Sequence, residues 1–226
     1  MSDGIYIILP VFNEAEIIVE VVRDLKAHGY HNLIVIDDGS SDQTYQNAMQ
    51  ENVIALRHKI NRGKGAAVKT GITAASRLGA EIVVTMDGDG QHSPADIERL
   101  IAPIRGDHVD VVLGSRMIAS DGMPKIKIIA NKIGNLVTFL LYGLHVTDSQ
   151  SGFRAYSYFA TTKIDTKADK YEYDSKVLRE IRHNRLRYVE IPVEVRYTEY
   201  SMGKPHKQGF VNGIKTLVRM IWGMIV

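Results

Sequence analysis

Two aspartates, Asp87 and Asp89, stand one residue apart where an apolar run ends, in the stretch IVVTMDGDGQHS over residues 82–93. Carboxylates this close repel unless a positive charge sits between them. Three chemistries fit the pair. A tight turn is one, since Asp and Gly are turn residues. A calcium loop is the second, with Asp87, Asp89, Gln91 and Glu98 at loop positions 1, 3, 5 and 12. That reading fails because His92 stands where the sharp-turn glycine belongs and a strand, not a helix, precedes the loop. The third is an open Mg²⁺ or Mn²⁺ site with Asp87, Asp89 and Gln91 as oxygen ligands, sharing its cation with a diphosphate.

Other reactive residues recur at comparable places. Asp37 and Asp38 follow NLIVI and are suited to accept hydrogen bonds from a ribose or base. Arg62 and Lys64 lie on a glycine-bracketed turn, NRGKG, that opens a helical pattern and can face a phosphate. The spacing is not that of a Walker motif, and no GxGxxG follows the first strand, which weighs against a dehydrogenase. Together these residues indicate a nucleotide-diphosphate pocket with a metal. Arg116 follows another apolar run, and Lys125, Lys127 and Lys132 come soon after it.

The elements that must position them alternate. Val- and Ile-rich runs at 5–12, 32–38, 52–58, 81–87 and 109–114 read as buried parallel strands. Helical patterns cover 14–28, closed by Gly29, then 65–78, closed by Gly79, and 94–104, where Ser93 is the expected N-cap and Pro94 the first helical residue. The expected fold is α/β, a mostly parallel central sheet covered by helices on both faces. In such sheets ligands bind at the carboxyl ends of strands, where the residues above converge. Beyond them, 124–144 and 171–183 read as helices, 148–157 as a loop into a short strand, and 187–198 as an edge or hairpin strand carrying Pro192.

Composition narrows the classes. The 226 residues are 45% hydrophobic and 24% charged, as in ordinary globular proteins. A formal net charge of +2 gives no bulk electrostatic case for nucleic acid. The absence of cysteine removes disulfides and thiolate chemistry and fits a cytoplasmic location. The first apolar run lacks a basic n-region and is broken by Pro10, so no secretory signal is expected. Neither 126–144 nor 214–226 is long and apolar enough to span a bilayer. The expected division is one domain over 1–204 and an amphipathic C-terminal helix over 205–226. That helix either packs on the core or lies in a membrane interface.

LPVFNEAE, VIDDGSSDQT, NRGKGAAVKTG, MDGDGQHSPADI, LGSRM, DSQSGFRAY and EYDSKVL, in this order, resemble the family 2 glycosyltransferases of GT-A fold. Within them the set is most similar to the dolichyl-phosphate and polyprenyl-phosphate mannose or glucose synthases. The resemblance implies that Pro10, Phe12, Glu14, Asp37, Asp38, Lys64, Asp87 and Gly88 line the nucleotide pocket, and that Lys204 belongs to a loop closing over it. Here Ser201 and Lys204 are separated by two residues where the family usually has Ser-Lys adjacent. Asp87, Asp89 and Gln91 are implied to bind the Mg²⁺ or Mn²⁺ that neutralises the leaving diphosphate. Arg116, Lys127, Asn131 and Ser151 are implied to hold an acceptor phosphate, although Lys127 and Asn131 stand where Arg and Ser are usual.

Acceptor chemistry separates two activities. A hydroxyl needs a general base, for which Asp148 is the candidate; as a loop-turn residue capping SQSG, Asp148 also reads as structural. A phosphate monoester is already anionic near neutrality and needs cations such as Arg116. The expected reaction is inverting transfer of mannose or glucose, from GDP-mannose or UDP-glucose, to dolichyl or polyprenyl phosphate at the cytoplasmic face of a membrane. Catalysis is assigned to Asp89, Arg116 and Asp148. The alternatives are a hydroxyl acceptor with Asp148 as base, and a non-catalytic nucleotide-sugar-binding subunit. His92 and His206 are read as loop histidines, Glu172 and Asp174 either as acidic groups matched to a helix N-terminus or as sugar contacts, and Arg154, with Ser151, as a contact to acceptor or donor.

Overall fold

The computed structural model describes residues 4–106, 108–118, 125–166, 168–169 and 172–196. Lys204, His206 and the segment 205–226 lie outside these residues. So do the side chains of Lys125 and Lys127, whose backbone is helical.

The apolar runs form strands β1 (Ile5–Val11), β2 (Leu33–Asp37), β3 (Ile54–Arg57), β4 (Ile82–Thr85) and β5 (Val111–Ser115). Two more follow, β6 (Arg154–Ser157) and β7 (Tyr188–Pro192). They make one seven-stranded sheet in the order β3-β2-β1-β4-β6-β5-β7. Every pairing is parallel except those of β6, which runs against both β4 and β5. The carboxyl ends of β1 to β5 therefore share one edge, and the loop leading into β6 arrives at that same edge. β7 is an edge strand, as Pro192 requires, but it pairs parallel to β5 and forms no hairpin.

Helices are α1 (Ile18–Ala27), α2 (Thr44–Gln50), α3 (Lys64–Arg77), α4 (Ile97–Arg105), α5 (Lys125–Tyr142), α6 (Tyr158–Lys163) and α7 (Tyr173–His183). The pleat of β1 sorts them into two layers. Ile5, Ile7, Leu9 and Val11 pack in one core cluster with Ile18, Val22 and Leu25 of α1 and Ile97, Leu100 and Ile101 of α4. Ile8 points the other way, against Ala67 and Ala75 of α3. A third cluster joins β5 and β6 to α7 through Val111, Tyr156, Val177 and Leu178.

The structure departs from the sequence reading at several places. α2 and α6 were not expected. Each is short, and polar contacts tie down their starts. Asp42 accepts from the Thr44 backbone at 3.0 Å, and Ser157 Oγ accepts from Ala160 N at 3.1 Å. Residues 14–17 form a turn, so α1 starts at Ile18. Ser93 does not cap with its side chain; its hydroxyl accepts from Arg196 Nη2 at 2.9 Å. Behind it Pro94–Asp96 is a 3-10 turn that leads into α4.

α5 is polarised in reverse. Gly134 and Thr138 are buried on its inner side, and Asn135 reaches inward to the 147–149 turn. Ile129, Ile133, Leu136 and Leu140 are each more than half exposed. Their four-three-four spacing is that of one helical stripe. Among the described residues no helix is long and apolar enough to cross a membrane.

Candidate active site

β4 delivers the acidic pair. Met86 N bonds to Ile8 O at 3.0 Å, so the chain stays in register with β1 until Asp87 leaves the sheet. A Cβ on Gly88 would strike Val11 of β1, which explains why this position has no side chain. Asp89 Oδ1 then accepts from Gln91 N at 3.0 Å.

The two carboxylates differ in their surroundings. Asp87 Oδ1 lies 2.8 Å from Lys64 Nζ, and its Oδ2 lies 3.8 Å from His92 Nε2. Burial alone would raise the pKa of Asp87. The Lys64 ammonium and His92 override burial and hold Asp87 far below the usual carboxylate range. Asp89 has no ion pair among the described residues. Burial first, then the neighbouring charge of Asp87, pushes its pKa up. Glu14, buried at the end of β1, pushes in the same direction. Asp89 is therefore the group most in need of a cation.

Lys64 joins the pair to a second acid. Its ammonium also lies 3.4 Å from Asp174 Oδ2 in the first turn of α7, and Asp174 Oδ1 is 3.8 Å from Arg154 Nη2. Burial would favour neutral Lys64, but Asp174 and Asp87 outweigh it and raise its pKa. Gly152 marks how tightly these parts meet, since a Cβ there would collide with Lys64 Nζ and lie 3.1 Å from Asp87 Oδ1. Thr85 Oγ1 donates to Gly152 O at 2.8 Å and fixes the loop over the end of β4.

The other acids are held by their own turns. Asp37 is fully buried, accepts from Ser40 N at 3.0 Å, and its Oδ2 lies 3.0 Å from Arg57 Nε. Asp38 accepts from Arg62 N at 3.0 Å and Gly63 N at 2.7 Å, which shapes the turn before Lys64. Pro10 and Phe12 are half-buried beside them.

Arg116 and Asp148 form a closed pair. Arg116 Nε donates to Asp148 Oδ2 at 2.7 Å, Nη2 donates to Oδ1 at 2.9 Å, and the Arg116 backbone N–H adds a bond of 3.1 Å. Asp148 is 2% exposed. Burial would raise its pKa, yet the Arg116 guanidinium prevails and depresses it. Glu190 of β7 supports the turn from below, accepting from Thr147 N at 2.8 Å and Asp148 N at 3.3 Å. The charges of Asp87 and Asp174 also favour the charged form of Arg116, so the two clusters are electrostatic neighbours. Asn131 is half-buried on α5. Ser151 is buried, and its carbonyl accepts from Arg154 Nε at 2.8 Å.

Sequence reasoning left one member out and two undecided. His92 is no free loop histidine: it is buried, with its ring 4.7 Å from that of Phe153. Asp174 faces the pocket and does more than complement a helix end. Arg154 is buried beneath it. The signal available for all three is that they stand in stretches carrying the family resemblance, MDGDGQHSPADI, DSQSGFRAY and EYDSKVL.

Among the described residues no three His, Asp or Glu side chains form a complete metal cage. Asp87 and Asp89 supply two hard oxygen donors, one of them uncompensated. That set suits a divalent cation that takes its remaining ligands from phosphate and water.

The model of glycosyl transferase family 2 matches residues 6–165. The chain belongs to this family. Among its relatives is the UDP-N-acetylglucosamine–dolichyl-phosphate N-acetylglucosaminyltransferase of Methanococcus voltae, 42% identical over 88% of each chain. The undecaprenyl-phosphate mannosyltransferase of Micrococcus luteus is 28% identical over 96% of this chain and 93% of its own. Among solved structures, glucosyl-3-phosphoglycerate synthase from Mycobacterium tuberculosis, in complex with Mn²⁺, UDP-glucose and phosphoglyceric acid, superposes with a TM-score of 0.74. The identity is 19%, covering 99% of this chain and 79% of that one. The fold of this family 2 glycosyltransferase is thus of GT-A type. The sugar expectation widens, because relatives differ among themselves in the sugar their names carry.

Proposed function

We propose that this glycosyltransferase moves a sugar, with inversion, from a nucleoside-diphosphate sugar to polyprenyl or dolichyl phosphate at a membrane surface. The observation that carries the acceptor class is the closed Arg116–Asp148 pair. A general base must offer a free lone pair to the proton it takes. Both Asp148 oxygens are instead occupied by one guanidinium, and its depressed pKa makes it a poor base. The pocket presents a cation where a hydroxyl acceptor would need a base, and a phosphate acceptor needs only the cation.

In this reading an acceptor phosphate oxygen attacks the anomeric carbon from the face opposite the diphosphate. The carbon–oxygen bond to the diphosphate breaks, and its electron pair leaves with the nucleoside diphosphate. No proton has to be removed from the nucleophile. Asp148 orients Arg116 toward the acceptor, with Lys127, Asn131 and Ser151 as further acceptor contacts. Pro10, Phe12, Glu14, Asp37, Asp38 and Gly88 line the nucleotide side, Lys64 faces its phosphates, and Lys204 closes over it. Asp87, Asp89 and Gln91 would hold Mg²⁺ or Mn²⁺, which supplies charge neutralisation for the departing diphosphate.

The Methanococcus voltae relative, at 42% identity, makes UDP-N-acetylglucosamine the first donor to try, ahead of UDP-glucose and GDP-mannose. The apolar outer stripe of α5 supports a lipid surface as the place of reaction, because an isoprenoid tail keeps its phosphate at the membrane plane.

The test is transfer of labelled sugar from these three donors to a short polyprenyl phosphate, with label counted in the organic phase. EDTA should abolish it. Asp148→Asn keeps one oxygen for Arg116 and should stay within about tenfold of wild type, whereas loss of a general base costs about 10²–10⁴-fold. A loss in the latter range with donor binding intact would transfer the reading to a hydroxyl acceptor. Donor binding without turnover on any lipid would leave a binding subunit.

A further inference from the structure

Behind the nucleotide side of the pocket lies a histidine with no role in the activity described so far. His58 is the first residue after β3, and its backbone N–H donates to Asp37 O at 2.9 Å. Its side chain is 9% exposed. Nδ1 lies 2.7 Å from Asp38 Oδ1, and Nε2 lies 2.9 Å from Thr70 Oγ1 on α3. An ionised carboxylate only accepts, so the Nδ1 position donates to Asp38.

Asp38 is almost fully used by its surroundings. Oδ1 takes His58 and the Arg62 N–H, and Oδ2 takes the Gly63 N–H. A carboxylate offers about four acceptor sites, which leaves one on Oδ2. Rotation of the carboxylate about its own bond would break all three contacts together. The same contacts fix residues 61–63, where Gly63 adopts a φ of +107° and launches α3 at Lys64. Lys64 in turn sits on Asp87. The orientation of one imidazole is therefore transmitted both to the remaining acceptor of Asp38 and to the placement of Lys64.

We propose that His58 is a positioning residue of the donor site, acting through Asp38 to set the nucleotide-facing carboxylate and the Arg62–Lys64 turn. The inference rests on the reading of this pocket as a nucleoside-diphosphate site. It predicts an unusual order of tolerance. The amide nitrogen of Asn is two bonds from Cβ, as Nδ1 is, so His58→Asn retains the donor to Asp38. The amide of Gln lies one bond further, near Nε2, so His58→Gln retains the Thr70 side and loses Asp38. Gln is the closer match to His in volume, and simple core filling would favour it.

Calorimetric titration of the purified full chain with UDP and Mn²⁺ reads the link without turnover, and UDP-N-acetylglucosamine kinetics give the KM-against-kcat split. Removing a charge-assisted hydrogen bond should weaken UDP affinity about tenfold in His58→Gln. His58→Asn should stay within about threefold of wild type, with donor KM following the same order and kcat changing less. Thr70→Val tests the link from the far side and should weaken UDP by about threefold, even if both His58 variants unfold. Equal affinity in Asn and Gln variants, or better binding by Gln, would overturn the proposal. So would an unchanged Thr70→Val where neither His58 variant folds. A wild-type chain that binds no UDP would instead remove the donor-site reading itself.

Discussion

The proposed donor half of the site, at the ends of β1 to β4, and the proposed acceptor half, between β5 and α5, treat charge differently. On the donor side acids outnumber cations. Asp87 is matched by Lys64, but Asp89 has no such partner among the described residues, and burial, Asp87 and the nearby Glu14 all raise the cost of its charge. On the acceptor side the acid is closed by Arg116 with two side-chain bonds and braced from beneath by Glu190. The first arrangement leaves an acid without a cation, and the second pairs its acid with one. The proposed reaction, which would bring in a metal-bound diphosphate and a phosphate monoester, fits that asymmetry.

Asp89→Ala attacks the uncompensated acid, and it should have the largest effect, about a 10³-fold loss of transfer. Mn²⁺ titration followed by electron spin resonance should show weakened metal binding in parallel. Unchanged metal affinity would remove the contrast between the halves. Next in size is Lys64→Met, which leaves Asp87 and Asp174 facing each other without their shared cation. With the pair only partly shielded from water, we expect about 2 kcal/mol of lost stability in denaturant unfolding, with UDP affinity falling as well. The smallest change is on the acceptor side. Ile133→Ser with Leu140→Ser should lower partition onto anionic vesicles about tenfold while leaving UDP binding untouched. Equal partition before and after would show that the outer stripe of α5 faces something other than lipid.

The strands of the donor half were legible because they are buried on both faces and read as unbroken Val- and Ile-rich runs, so their ends could be located. The acidic residues at those ends follow at once. Their partners are far away in sequence, and spacing carries no trace of them. Lys64 and Asp174 are 110 residues apart, and His92 reads as a loop residue until the ring of Phe153 is seen beside it. Asp148 showed both a base and a structural residue in the sequence, and only the direction of the Arg116 guanidinium distinguishes the two. α2 and α6 escaped for a local reason: at 7 and 6 residues they are too short to develop a periodic pattern. The antiparallel course of β6 was equally hidden, since four residues cannot announce their direction.

That course bears on how the chain is made. β4 ends at Thr85, but its neighbour in the sheet, β6, begins only at Arg154 and ends at Ser157. On a ribosome adding about 5–20 residues per second, the β4 edge waits roughly four to fourteen seconds for its partner. During that interval β3, β2, β1 and β4 can pair as a four-stranded sheet whose open flank is Ile82, Val83, Val84 and Thr85, an apolar and uncharged strand edge. Such an edge invites another chain to add itself. The order of strands that seats the acceptor loop beside the donor pocket thus makes the nascent protein most vulnerable to aggregation between residue 85 and residue 157, and a chaperone acting on it has that window in which to cover the flank.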